Sequence, residues 1–251
     1  FKFGADLLRT TAVVAWRRAY PSDVLHVVRN GAPIEVYLFE TPSEATSGMW
    51  TASAHALDSW RVNRRFTVNA GIRLDRYHLF LPEQTHPAGR FNPFPETFPA
   101  IDNLIDWNEL APRVGAIVDL TGDGKTLLKL NYGKYWIAPG TDLAFDASEN
   151  SDQWWRKYSW LDLDRNGVWQ PGEEGVRPLE VQGGVAIESV DPRLRLSFMS
   201  ELAGWVEREF PAHLAVRTGI VWRGERQHYL RQNPDRPFDA YSAARALVDP
   251  G

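Results

Sequence analysis

The sequence predicts an all-β fold, part of an antiparallel transmembrane β-barrel with long extracellular loops and short periplasmic turns. Three observations lead there. Apolar and polar residues alternate with period two over segments of roughly ten residues, the length a tilted membrane-crossing strand needs. The connections between those segments alternate between very short and very long. Aromatic residues make up 12% of the chain, with 11 Trp among 251 residues, and several stand near strand ends, where interfacial girdles sit.

The clearest strand runs from Phe66 to Asp75. Phe66, Val68, Ala70, Ile72 and Leu74 share one face, opposed by Thr67, Asn69, Gly71, Arg73 and Asp75. A second joins Leu110, Val114, Ala116, Val118 and Leu120 on one face, against Arg113, Gly115 and Asp119. A third, from His213 to Arg223, sets Leu214, Val216, Thr218, Ile220 and Trp222 against Arg217, Gly219 and Arg223. Segments 126–136 and 201–210 alternate less cleanly, and 1–14 and 49–60 are weaker still. The total is about seven strands.

Short connections fall at Trp60 to Arg64, at Thr121-Gly122-Asp123-Gly124 and at Phe210-Pro211-Ala212. Long ones cover about 17–48, 79–108 and 138–198. The first holds its own hairpin, Val24–Val28 with Ile34–Phe39, turned at Asn30-Gly31, because that dipeptide accepts the left-handed backbone of a two-residue turn. Loops this long are foreign to compact soluble domains; at the outer rim of a membrane barrel they are the rule. The girdle candidates are Trp60, Tyr77, Trp107, Tyr135, Trp136 and Trp222. The whole of 1–251 reads as one partial barrel, truncated at both ends: it opens strand-like at Phe1-Lys2-Phe3-Gly4 and stops turn-like at Val248-Asp249-Pro250-Gly251.

Composition narrows the function. A net charge of -4 and the lack of any Lys/Arg block argue against a nucleic-acid partner. With no Cys, disulfides and thiolate chemistry are excluded. Mean hydropathy is -0.37 and no apolar run approaches the length of a spanning helix, yet membrane strands leave only a weak hydropathy signal because they interleave polar residues. The chain has neither a Gly-x-Ser-x-Gly elbow nor a complete phosphate loop, and its six His are scattered. The expectation is therefore not an enzyme.

One motif carries chemistry. Residues 162–173 match D-x-[DN]-x-[DN]-G-x5-E at every specified position. Asp162, Asp164 and Asn166 offer side-chain oxygens on alternate residues, and Gly167 permits the sharp turn. Val168 offers a carbonyl, Gln170 sits where a water-mediated ligand falls, and Glu173 closes the site bidentately. An all-oxygen set suits a hard cation, so calcium is the expected cofactor, with the role of stiffening the long outer loop. Pro171 and Gly172 break any exiting helix, which makes the loop EF-hand-like in its ligands only. The alternative is an acidic surface turn without metal. In the same loop Trp154, Trp155 and Trp160 are candidates for stacking on a ligand, although packing within the loop is the favoured reading. Arg73, Asp75, Arg113, Lys129, Glu201 and Arg217, joined by Asp119, Glu207, Glu209 and Arg223, share the polar face. They are substrate-path candidates, with mutual pairing or contact with a plug preferred.

Several stretches resemble a known family. Asp58-Ser59-Trp60-Arg61-Val62, Arg73-Leu74-Asp75-Arg76-Tyr77, Trp107 to Gly115, Asp119 to Thr126, Asn131-Tyr132-Gly133-Lys134-Tyr135 and Gly204 to Phe210 occur in order. They resemble the barrel of TonB-dependent receptors of the Oar type, which carry an N-terminal carboxypeptidase-regulatory-like domain. The resemblance implies outer-membrane lipid and the TonB complex as partners and energised uptake of an unknown substrate; no plug, TonB box or closing strand is recognisable in the chain. The rival reading is a secreted soluble β-sandwich that binds calcium and glycans through its Trp-rich loop, since alternation by itself suits either environment.

Overall fold

The strands follow the alternation. β1 (Lys2–Trp16) leads into a hairpin of β2 (Val24–Arg29) and β3 (Ala32–Glu40), then into β4 (Ser43–Arg61) and β5 (Phe66–Leu81). Two short strands, β6 (Gln84–His86) and β7 (Glu96–Phe98), precede β8 (Ile101–Asp119) and β9 (Thr126–Trp136). A short helix α1 (Asp142–Asp146), β10 (Trp154–Ser159) and β11 (Glu180–Gln182) occupy the next connection, before β12 (Phe198–Phe210) and β13 (Leu214–Arg226). This computed structural model describes residues 1–150, 153–184, 186, 188–211 and 214–231; the expected strand start at His213 and the terminal 248–251 lie outside them.

The main sheet has seven strands, ordered β1-β4-β5-β8-β9-β12-β13, all antiparallel neighbours in chain order. Each corresponds to one expected segment. The strands are longer than the expected ten or so, from 11 residues in β9 to 19 in β4 and β8. The loop expected at 79–108 shrinks accordingly to residues 82–100, with the β6–β7 ladder inside it.

Register decides which residues share a face. Phe66 pairs with Val118, Val118 with Leu128, Leu128 with Val206 and Val206 with Thr218. This row belongs to the apolar side. One residue along, Ile117 pairs with Lys129 and Lys129 with Trp205, on the opposite, polar side. Burial distinguishes the faces: Asp75, Tyr77, Trp107, Ala111 and Ala203 on the polar face are buried, whereas Leu74, Leu110, Leu130, Leu202 and Ile220 on the apolar face are exposed. The sheet is a half-barrel whose concave side is polar and whose convex side is bare hydrocarbon.

Tight connections lie at one end of the sheet. At 120–125 the Asp119 carboxylate accepts from the N–H groups of Thr121 at 3.2 Å, Gly122 at 2.8 Å and Gly124 at 2.8 Å. Asp119 was expected to line the lumen, but it holds this turn closed instead, since it stands at the very end of β8 where three backbone donors point outward.

Long connections gather at the other end. Asn30 and Gly31 turn the β2–β3 hairpin with φ of 51° and 79°, as the dipeptide predicts. Loops 17–48 and 138–198, read from sequence as separate, share one four-stranded sheet ordered β11-β10-β3-β2. Val24, Val36, Leu38 and Trp160 form its buried cluster, with Phe91, Tyr158 and Trp169 packed on it. A second cluster lies at the outer mouth of the concave side. There Met49, Tyr77, Leu79, Leu81, Ile105 and Trp107 from the main sheet meet Ala144 and Leu196 from the long 138–198 connection. That connection folds inward and caps the mouth. Nothing comparable covers the convex face among the described residues.

Candidate functional site: a charged wall, an apolar band and an acidic outer loop

The concave wall carries its charges in pairs. Arg73 Nε lies 2.8 Å from Asp75 Oδ1, while Ser53 donates its hydroxyl to the same oxygen at 2.7 Å and receives Arg73 Nη2 at 2.9 Å. Lys129 Nζ is 2.6 Å from Glu207 Oε2, and Arg217 Nε is 3.3 Å from Glu207 Oε1. Arg223 Nε is 2.6 Å from Glu201 Oε2. Arg113 lies 4.9 Å over the ring of Tyr135. The structure therefore brings Lys129 together with Arg217, through Glu207, and keeps Arg73–Asp75 and Glu201–Arg223 as separate pairs. Sequence reasoning missed Ser53, although its odd position in β4 gives it the parity of the polar face.

The convex wall is the complement. Between its rims it presents Ala52, Ala54 and Ala56 from β4, Phe66 to Leu74 from β5, Leu110 to Val118 from β8, Leu128 to Tyr132 from β9, Leu202 to Val206 from β12 and Leu214 to Trp222 from β13, taking alternate residues throughout. Charge meets these rows at Asp58, opposite Ala70, at Arg76, opposite Ala52, and at Arg208, opposite Val216; the residues of the rows themselves carry none. On the convex face of β9 the uncharged stretch runs from Thr126 until Lys134, eight steps of about 3.3 Å, or roughly 20 Å along the membrane normal at a tilt near 40°. That height approximates the apolar band of an outer-membrane barrel.

The sequence matches the family model described as outer membrane beta barrel domain over residues 27–244. The chain belongs to that family. No curated protein and no solved structure matched significantly. Membership and the half-barrel sheet place this outer-membrane β-barrel protein in the bacterial outer membrane, and the bare convex face is its lipid-contacting surface. A soluble sandwich would need a second sheet over those rows, and the described residues provide none there.

The girdle needs one correction. Trp60, Trp136 and Trp222 share the parity of the apolar rows and face lipid, as expected. Tyr77, Trp107 and Tyr135 have the opposite parity and face the lumen, where Tyr77 and Trp107 are 6% exposed within the mouth cluster. The sequence already contained the reason: Tyr77 is an even number of residues from Asp75, so both point the same way. The lipid-facing aromatics overlooked are Trp50, Tyr132, Phe198 and Phe210.

In this barrel protein the acidic motif forms a tight loop on the outer sheet. Carboxylate oxygens of Asp162, Asp164 and Glu173 lie within 4.8 Å of one another. Gly167, at φ 75°, donates its N–H to Asp162 at 2.8 Å, and Asn166 N–H reaches Asp162 at 3.1 Å and Asp164 at 3.2 Å. The Asn166 amide oxygen accepts from Val168 N–H at 2.7 Å, and Gln170 Nε2 donates to Asp164 at 2.7 Å. Glu173 differs from its expected bidentate role. Its Oε1 accepts from Leu163 N–H at 2.9 Å, while Oε2 accepts from Gln170 N–H at 2.9 Å and Trp160 Nε1 at 3.2 Å. Two donors occupy Oε2, so only Oε1 retains a lone pair for an ion. Burial opposes the charge of Glu173, but those three hydrogen bonds outweigh it and hold the carboxyl below the usual range.

The Trp residues of the same region pack. Trp154, 6% exposed, stacks on His86 at 3.9 Å between centroids, and Trp160, 3% exposed, lies 4.8 Å from the His26 ring. Trp155 is half-buried and meets Tyr37 edge-on at 5.0 Å. Little ring surface of Trp154 or Trp160 is left for a ligand to stack on. His86 itself is fully buried with neither ring nitrogen hydrogen-bonded, and burial pushes its pKa down.

Proposed function

We propose that this chain is a wall segment of a TonB-dependent outer-membrane receptor of the Oar type, and that its intact barrel takes up a substrate with TonB-coupled energy. The observation that carries this reading is the geometry of the wall. Seven strands make only a half-barrel, and β1 and β13 do not pair with each other. Lipid does not tolerate open sheet edges, so the complete wall holds more strands and encloses a wide lumen. A wide lumen lined by ion pairs suits a barrel that houses a plug. Residues Arg73, Asp75, Arg113, Lys129, Glu201 and Arg217 are then the wall's contribution to the plug interface and substrate path, and the chain is not an enzyme.

The same reading assigns structural calcium to the outer loop. The donor set fits a hard cation: three carboxylates converge within 4.8 Å and no sulfur or imidazole belongs to the motif. Asp162, Asp164, Asn166, the Val168 carbonyl and Gln170 would hold the ion with Glu173 as a one-oxygen ligand. The ion would supply charge neutralisation and stiffness to the connection that caps the mouth.

The test of the receptor reading is the nucleotide sequence on both sides of the reading frame. A plug domain upstream and further alternating strands downstream are expected. A start codon with a signal peptide just before Phe1, together with a stop just after Gly251, would overturn the reading.

A further inference from the structure

We propose that one face of the outer four-stranded sheet is a binding platform for a neutral glycan, with Tyr37 and Trp155 as the rings on which its sugars stack. Pairing across the sheet sorts the side chains onto two faces. Val24 pairs with Leu38 and Leu38 with Arg156, while His26 pairs with Val36 and Val36 with Tyr158. That face is closed, because Phe91, Tyr158 and Trp169 pack against its buried cluster. On the other face Leu25 pairs with Tyr37 and Tyr37 with Lys157, while Phe39 pairs with Trp155. None of Leu25, Tyr37, Phe39 and Trp155 belongs to either buried cluster.

The open face carries a continuous row of rings. Between centroids Tyr20 lies 5.2 Å from Phe39, Phe39 lies 6.5 Å from Tyr37, and Tyr37 meets Trp155 at 5.0 Å. Phe39 is buried, but Tyr37 and Trp155 are half-buried and Tyr20 is 41% exposed. Contiguous rings within reach of water mark a binding surface. Each is held by its neighbours, so a ligand need order few side chains when it docks. The polar groups in the same rows select the ligand. Lys157 Nζ is 2.9 Å from Glu180 Oε2 and 5.5 Å from the Tyr37 centroid, so its charge is already met. Glu35, half-buried, pairs with Ser159, and Gln182 pairs with Trp155. Two carboxylates to one ammonium leave these rows net negative, which disfavours phosphate, sulfate and uronate groups. Donors and acceptors beside flat apolar rings match a neutral sugar, which presents C–H groups on its face and hydroxyls at its edge. The sheet is built from the long connections, which lie outside the cell; the site needs that location alone, not TonB coupling.

The test uses the full-length protein, purified from its own outer membrane in a mild detergent without a sugar headgroup. Neutral gluco-, manno- and xylo-hexasaccharides are titrated into it by calorimetry. At least one is expected to bind, with an affinity that does not change between low and high salt. Trp155→Ala and Tyr37→Ala should each weaken that binding about tenfold, and Trp155→Phe should restore most of it. Phe94→Ala, which removes a ring that is 77% exposed on another connection, should leave it unchanged. Binding of none of the sugars at about 10 mM, equal affinity in Trp155→Ala, or preference for a sulfated oligosaccharide or an oligolysine peptide would each overturn the proposal. A dimer dispersed by Trp155→Ala would also overturn it, by assigning the face to a second copy of the chain. A heat-modifiable, strand-rich barrel in every variant shows that folding is not the cause.

Discussion

Leu130 and Asn131 are adjacent on β9 and point to opposite sides of the wall, so one substitution made at both sites measures which side meets lipid. Leu130 pairs with Ala116 and Gly204 on the convex face, and Asn131 pairs with Gly115 and Ala203 on the concave face. Leu130 sits midway between Thr126 and Lys134, about 10 Å from each border of the uncharged band. Arg at that depth costs about 2–4 kcal/mol on the lipid face of a barrel, which is roughly a 30- to 800-fold shift in the folding equilibrium. In the lumen the guanidinium stays hydrated among other charges, and Asn131→Arg should cost under about 1 kcal/mol. The assay is urea-induced unfolding of the barrel in phosphatidylcholine vesicles, followed by tryptophan fluorescence and gel mobility. Equal costs at the two positions, or a larger cost at Asn131, would refute the assignment of faces.

Other outcomes follow from the same geometry. Asp75→Asn removes the charged acceptor of Arg73 and Ser53 and should destabilise the barrel by about 1.5–3 kcal/mol in the same assay, whereas Ser53→Ala should cost less. With free calcium at a hundred times its Kd, the loop should gain about 2.7 kcal/mol of protection against local unfolding. Limited proteolysis within 138–198 should then slow on adding calcium, and Asp162→Asn with Glu173→Gln should abolish the effect; identical cleavage with and without chelator would remove calcium from the reading. His86 is held neutral by burial, so the folded state binds its proton at lower pH than the unfolded chain does. The stability it contributes is present above the unfolded pKa of about 6.5 and is lost as pH falls below that value. Hydrogen-exchange protection at 84–98 and 154–159, taken relative to the intrinsic amide rate at each pH, should therefore fall between pH 7.5 and 5.5 in the wild type but not in His86→Phe, and an equal fall in both would exclude His86 as the cause.

Much of the wall was legible because a strand has a period of two. The alternation from Phe66 to Asp75 fixed both the strand and its two environments, and Asn30-Gly31 fixed a turn. The same parity applied to Tyr77, Trp107 and Tyr135 places them in the lumen, and treating them as girdle members from proximity to strand ends was the error. The acidic motif was equally legible as a set of donors, because a loop of twelve residues is local. That Glu173 has already committed three lone pairs was not, since one donor is the indole of Trp160, held by the pairing of distant loops.

By itself the sequence determined the strands and their two faces, because those depend on neighbours one or two residues away along the chain, whereas alternation suits a membrane wall and a soluble sandwich alike. Only the tertiary structure decided that the loops 17–48 and 138–198 share one sheet, that the second of them caps the lumen mouth, and which lumen charges pair. Lys129 and Glu207 are 78 residues apart in the chain and 2.6 Å apart in space. Contacts of that kind are set by the register of strands against one another, which closes only when the whole sheet is assembled.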